Sequence, residues 1–413
     1  MKRMMLGVVG VALLAGCCNC NCPIDSGTTF AKDAFQKYVD SGELPGAINI
    51  FYKDGVQETC CLGYADVAAK RPISLDDAYM QCSQTKGFCG VCIAKLVEDG
   101  KIKLDDPVDK YLPEFKWNQL WVPQSRTNGV LSLRHPPADK PMTIRMCLNH
   151  TAGFPFELPH FQAMGGWSRR MPLRSVAATA ATQPLLFDPG TKVQYSNVGI
   201  DVGAAIVEVV TGMRWEEYLK ANVLDPLGMT SSGFWPSDEQ LESKIELYEV
   251  RPGKPAKWQC CNPSMQRPYG DDRVFASAGA GLWTTVRDQL KFYKMLMNLG
   301  LGDNGVRILK EETVKNLLAV NSRPVDVAKG DGYSLGLGAP IKDGEKEWFG
   351  HGGAWGTNCM VNWHKKELKL WACQMVDHGF WDEWNAKRNA AAEKFFKTVI
   401  DNSIVDAYTG RMK

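Results

Sequence analysis

Residues 82–97 read Cys82-Ser83-Gln84-Thr85-Lys86-Gly87-Phe88-Cys89-Gly90-Val91-Cys92-Ile93-Ala94-Lys95-Leu96-Val97. Phe88, Cys89, Cys92, Ile93, Leu96 and Val97 share one face at helical spacing, and Asp99-Gly100 supplies a stop. The spacing therefore predicts a buried helix with Ser83 and Lys86 at its start. Positions three apart lie on the same face, so the Lys86 amine can reach the Ser83 hydroxyl. A serine hydroxyl is a poor nucleophile without a base beside it, and a lysine can be that base when its surroundings lower its proton affinity. The helix N-terminus favours a developing anion at the same place. Ser-x-x-Lys also arises as a helix cap followed by a solvated lysine, so the remainder of the chain has to supply partners. Cys89-x-x-Cys92 lies inside the apolar stripe and reads as core, without the strand-to-helix setting of a redox pair. Cys82 reads as a core thiol and not as a rival nucleophile.

Upstream, Phe30, Ala34, Phe35 and Tyr38 recur at helical spacing, and Ala47–Tyr52 and Glu58–Tyr64 form a hairpin around Lys53-Asp54-Gly55. Downstream, Val198–Val210, Trp215–Leu224 and Val286–Leu299 read as helices, Asn358–Trp363 and Leu368–Val376 as strands, and Asn385–Ile400 as a closing helix. Residues 116–141 form an irregular excursion with room for a small hairpin. This order predicts an α+β fold: an α/β/α sandwich whose antiparallel sheet is built from both chain ends (29–82 and 320–413), with a mostly helical domain (83–319) inserted between them. A cleft between the two parts is the default place for an active site.

Two more short motifs carry chemistry. Tyr195-Ser196-Asn197 follows the turn Asp188-Pro189-Gly190. In extended chain, residues two apart point the same way, so a phenol able to pass a proton stands beside an amide able to hold both a lysine and a substrate. His351-Gly352-Gly353-Ala354 is the second. Its glycines let a substrate backbone approach a strand edge, and a backbone N–H there can form half of an oxyanion hole.

The order and spacing of the three motifs resemble the class C β-lactamase and penicillin-binding-protein superfamily of serine hydrolases. The phrases KIKLDDPVDKYLPEF (101–115), MTIRMCLNHTAG (142–153), FDPGTKVQYSN (187–197), LDPLGMTSSGF (224–234), GAGLWTTVRD (279–288) and FGHGG (349–353) are similar in the same order. The resemblance implies that Ser83 attacks a carbonyl and is acylated, that Lys86 helps take its proton, and that Tyr195 shuttles protons to the leaving group and from water. Asn197 would orient Lys86 and the acyl chain. The N–H groups of Ser83 and Ala354 would form the oxyanion hole, and His351, Gly352 and Gly353 would face the far end of the substrate. His150 falls in what the resemblance marks as a structural loop, and Asp105-Asp106 reads as a helix start. One departure matters: class C β-lactamases carry Lys-Thr-Gly where this chain has His351-Gly352-Gly353. A fixed ammonium is replaced by a group only partly charged near neutral pH. That points to an esterase, D-amino-acid peptidase or amidase. A true β-lactamase is the runner-up, and a catalytically silent lipoprotein that binds cell-wall fragments is the reading from another class.

The N-terminus is an address. Lys2 and Arg3 precede an apolar run, and Leu14-Ala15-Gly16-Cys17 resembles a bacterial lipobox, which implies a signal peptide over 1–16, a lipid on Cys17, a tether over 17–28 and an exported, membrane-anchored protein. The run is about half the roughly 20 apolar residues a spanning helix needs. Removing Lys2 and Arg3 leaves 46 basic and 46 acidic residues, which argues against nucleic acid as a partner. An exported chain with 14 cysteines has the means to form disulfides, but the spacing names no pairs. No metal or organic cofactor is indicated. The expected partners are a small ester, amide or cell-wall peptide and the membrane.

Overall fold

The structure, a computed structural model, describes residues 29–158, 171–251, 254–257, 274–324, 332–338, 348–377 and 381–409. Cys17, the segments assigned to signal and tether, and Cys260-Cys261 lie outside the described residues.

Helix α1 (Phe30–Asp40) starts on Thr29, whose side chain accepts from the Lys32 N–H. Strands β1 (Gly46–Lys53) and β2 (Val56–Asp66) turn at Asp54-Gly55, both with positive φ. β3 (Arg71–Pro72) continues this meander. From the other end of the chain come β10 (Phe349–Gly353), β11 (Thr357–Asn362) and β12 (Glu367–Ala372). The six make one sheet in the order β10-β11-β12-β1-β2-β3. β1 and β12 pair antiparallel, with Ile50 opposite Leu370. The two chain ends thus share one sheet, as the pattern predicts.

Alternation along β1 divides the core. Ile48 and Ile50 face the helical body, while Ala47 and Phe51 face α1 and the closing helix α8 (Trp381–Thr409). The Phe35 and Trp371 rings meet at 4.8 Å in that outer layer. Burial on both faces explains why β1 reads as a nearly unbroken apolar run.

The helical body is built on α2 (Thr85–Glu98) and α5 (Asn197–Thr211), with α3 (Ile144–Leu148), α4 (Leu173–Ala181), α6 (Trp215–Leu219) and α7 (Val286–Met297) around them. The sequence pattern gives α2 one apolar face, but nearly every side chain of it is buried. Gly90 makes this possible, since an added β-carbon would stand 1.9 Å from the Leu335 carbonyl oxygen. Helix α4 buries a stripe of Leu173, Val176, Ala177, Ala180 and Ala181, mostly small residues that give only a weak signal in the sequence. Residues 116–141 contain a hairpin, β5 (Val122–Thr127) and β6 (Val130–Arg134), turned by Asn128-Gly129 with both φ positive and with a shift of register between Pro123 and Ser125. Short ladders join β4 (Tyr79–Met80) to β9 (Trp283–Thr284), and β7 (Tyr248–Arg251) to β8 (Lys254–Lys257) and β13 (Met375–Asp377). The last of these corrects the expected strand 368–376. β12 ends at Ala372, and β13 leaves the main sheet to pair parallel with β7 because the Gln374 carbonyl takes the Tyr248 N–H. Among the described residues no helix is long and apolar enough to cross a membrane.

Candidate active site

The nucleophile region sits where β10, the edge of the main sheet, meets the start of α2. Cys82–Gln84 form one 3₁₀ turn, and Cys82 adopts a positive φ of 51°. That turn lifts Ser83 to a part-exposed position between two buried neighbours. The Cys82 side chain is buried, with its Sγ 3.7 Å from the Met80 carbonyl oxygen, and burial pushes its thiol up to about 12. It is protonated and sealed, so it cannot compete with Ser83. Cys89 and Cys92 are likewise buried thiols, and the eight cysteines resolved as free among the described residues include the adjacent Cys60 and Cys61.

Lys86 is fully buried one helical turn beyond Ser83. Its Nζ lies 3.1 Å from Ser83 Oγ, 2.6 Å from Asn197 Oδ1 and 2.7 Å from the Gly279 carbonyl oxygen. Two of these partners can only accept, which engages two N–H groups. The third direction, toward the Ser83 hydroxyl, is then left for a lone pair when the amine is neutral and for a donated proton when it is charged. The geometry serves both halves of a proton transfer.

Each partner of Lys86 is itself held. Ser196 caps α5 by accepting the Gly199 N–H at 3.2 Å, which sets Asn197 as the first residue of the helix. The Asn197 amide donates to Glu157 Oε1 at 2.6 Å, so its oxygen must face Lys86. Asp201, one turn further along α5 and buried, accepts from the Gly279 N–H at 3.2 Å and from the Ser277 hydroxyl at 3.4 Å. Gly279 has to be glycine, because a β-carbon there would stand 2.7 Å from that of Asn197. Glu157, Asp201 and Gly279 were not identified from the sequence. Asp201 sits four residues after Asn197 and Gly279 opens the GAGLWTT phrase; Glu157 leaves no local signal.

Tyr195 is part-exposed, with the Lys86 Nζ 4.6 Å from its ring centroid. Its ring lies 4.5 Å from that of His150 and 6.0 Å from that of Phe156. Ser83, Lys86, Tyr195 and Asn197 thus converge at one place, three by direct hydrogen bonds and Tyr195 through the face of its ring.

β10 closes the other wall. The Gln84 amide donates to the His351 carbonyl at 3.0 Å, and Gln84 is itself held by Gln289, which accepts from the Tyr79 hydroxyl at 2.6 Å. Gly353 packs on the residue before the nucleophile turn, where a β-carbon would be 2.3 Å from the Gln81 carbonyl oxygen. Ala354 follows as an exposed turn residue beside this contact. His351 Nδ1 contacts the Gly352 carbonyl, which can only accept, so Nδ1 carries the proton and Nε2 accepts from the Tyr333 hydroxyl at 2.8 Å.

That arrangement corrects the expectation of a partly charged His351. Enclosure by protein, with the Lys86 charge adding to it, pushes the imidazole down to about 3. His351 is neutral throughout the working range. It follows that the unfolded chain, where the ring titrates near 6.5, binds more protons than the folded one between pH 3 and 6.5. His351 therefore adds stability above pH 6.5 that is lost as pH falls through this window, about 2–3 kcal/mol by pH 4.5. Thermal melts from pH 8 to pH 4 should show a steeper loss for the native protein than for His351→Gln. Parallel curves would refute the assignment.

The Beta-lactamase family model matches residues 31–366. The chain belongs to that family. Its relatives include Protein Rv1367c of Mycobacterium tuberculosis, 30% identical over 79% of this chain and 77% of the relative. Lovastatin esterase of Penicillium rubens is 26% identical over 85% and 89% of the two chains. Among solved structures, EstCE1, a hydrolase with promiscuous acyltransferase activity, shares the fold with a TM-score of 0.72 at 21% identity, covering 88% of this chain and 97% of that one. With the Ser83–Lys86 pair intact, this member of the β-lactamase family is a serine hydrolase.

Proposed function

We propose that the protein hydrolyses uncharged carboxylic esters through an acyl-enzyme on Ser83. The observation that carries this reading is the buried Lys86 amine, 3.1 Å from Ser83 Oγ and held by Asn197 and Gly279. Lys86, helped by Tyr195, takes the hydroxyl proton as Ser83 Oγ attacks the ester carbonyl. The N–H groups of Ser83 and Ala354 receive the oxyanion, a contribution of roughly 3–4 kcal/mol for each donor. Tyr195 returns the proton to the departing alcohol, and the acyl–Ser83 ester remains. Water then attacks that ester, its proton passes through Tyr195 and Lys86 to Ser83 Oγ as the acyl–Oγ bond breaks, and the carboxylic acid leaves.

The preference for an uncharged substrate rests on β10. A β-lactam or a D-alanyl peptide brings a carboxylate, and the neutral His351, tied to Tyr333 and to its own strand, offers no ammonium to pair with it. The lovastatin esterase relative supports the ester reading by its name. A panel of short-chain p-nitrophenyl esters, D-alanyl amides and a chromogenic cephalosporin tests it. Ester kcat/KM should exceed that for the cephalosporin by about 100-fold or more, the loss of one buried charge-assisted contact being of that order. Equal rates, or faster cephalosporin turnover, would return the protein to the β-lactamases.

The N-terminal sequence supports a location to match: a lipid on Cys17 would hold the enzyme on the cell envelope. Membrane-fraction protein that takes up a labelled fatty acid, and loses it in Cys17→Ser, is the expected result. Soluble, unlabelled protein would refute it.

A further inference from the structure

His150 has no part in the proton path described above, yet it encloses one of its members. The residue is 2% exposed and holds a positive φ of 68°, a costly backbone for a side chain with a β-carbon. Its carbonyl accepts the Gln194 N–H at 2.9 Å, and its ring Nδ1 accepts the Ser196 N–H at 3.3 Å. The residue between those two pinned amides is Tyr195, whose ring lies 4.5 Å from the imidazole at a 54° tilt. The imidazole also meets the Tyr333 ring at the same distance.

Burial and the Lys86 charge keep this ring neutral. Because Nδ1 accepts, the proton is on Nε2, and Nε2 is buried with no hydrogen-bond partner among the described residues. An orphaned buried N–H costs about 1–3 kcal/mol. Two costs retained at one residue point to a function other than stability. The need is visible at Tyr195: its hydroxyl makes no hydrogen bond to a described residue, so the ring's aim must come from its flanks. Lys86 meets the ring face and Phe156 touches the ring and accepts the Asn197 N–H at 3.0 Å, whereas His150 touches the ring and holds the amides immediately before and after it.

We propose that His150 is the positioning residue of Tyr195, holding the phenol in the orientation from which it exchanges protons with Ser83 and the leaving group. This rests on the role given to Tyr195 above. His150→Asn keeps an acceptor near the place of Nδ1 and tolerates positive φ, but removes the ring. Ester kcat should fall roughly 10- to 100-fold. In a Tyr195→Phe background the same change should cost less than about 2-fold, because the group it acts through is gone. Equal losses in both backgrounds, or no loss in the native one, would overturn the proposal.

A second measurement needs no His150 variant. In the full native chain with ¹³C-labelled tyrosine, the Tyr195 ring signals are those missing from Tyr195→Phe. Separate signals for the two ring edges, meaning slow flipping, are expected; one averaged signal would overturn the positioning role. Full activity in Tyr195→Phe would instead remove Tyr195 from the mechanism, and the ring-flip result would then decide the positioning question alone.

Discussion

Ser83→Ala should lower ester kcat by about 10⁵- to 10⁶-fold, the scale on which a serine hydrolase responds to loss of its nucleophile. The reason is local. Ser83 is the only hydroxyl within hydrogen-bonding reach of the Lys86 amine among the described residues, and the neighbouring Cys82 thiol is buried. No second nucleophile stands ready to take over. Stability should hardly change, because the hydroxyl is part-exposed and its removal leaves Lys86 two other partners. Kinetics on a p-nitrophenyl ester and intact-mass analysis after a fluorophosphonate probe check this. The native chain should gain one adduct, and the variant none. A variant that keeps a tenth of the native rate, or still takes the adduct, would place the nucleophile elsewhere.

Lys86→Met should be nearly as damaging, with kcat down about 10³- to 10⁴-fold, the range expected when a positioned proton acceptor is lost. Methionine fills a similar volume, so packing around α2 survives. What it cannot do is serve the three oxygens now within 3.1 Å of Nζ. The Asn197 and Gly279 oxygens lose their donor, which costs about 1–3 kcal/mol for each group left unpaired, offset in part because a buried amine is gone. The Asn197 side chain is then held by Glu157 alone, so the acyl-binding amide loses one of its two anchors together with the base. KM should move little, since Lys86 touches the nucleophile and its supports. Probe labelling of Ser83 should slow in parallel with kcat. A variant with lost ester turnover but native labelling speed would confine Lys86 to deacylation and overturn its role in activating Ser83.

Much of this was legible in the chain because it is local. The three-residue spacing of Ser83 and Lys86, the Ser196 cap before Asn197, the Asp54-Gly55 turn and the apolar periodicities of β1, α2 and α5 are each decided within a few residues. The α+β class follows from their order. The excursion at 116–141 was harder to read, because both faces of its hairpin are largely exposed and leave no alternation in the sequence. β13 was merged with β12 for a similar reason: one apolar run crosses from one sheet to another, and only the distant β7 marks the break.

By itself, then, the sequence determined which residues are the candidates for the chemistry, since the proposed nucleophile, base and phenol declare themselves by type and by neighbours on one helix or one strand. Only the tertiary structure decided how those groups are held and charged. Glu157 lies 40 residues from Asn197, Gly279 lies 193 from Lys86, and Tyr333 lies 18 from His351. Orientation and proton affinity depend on what surrounds a group in space, and those surroundings are assembled from distant parts of the chain. That is why His351 could be found as a site residue from its motif, while its neutrality, and the grip of His150 on Tyr195, had to wait for the fold.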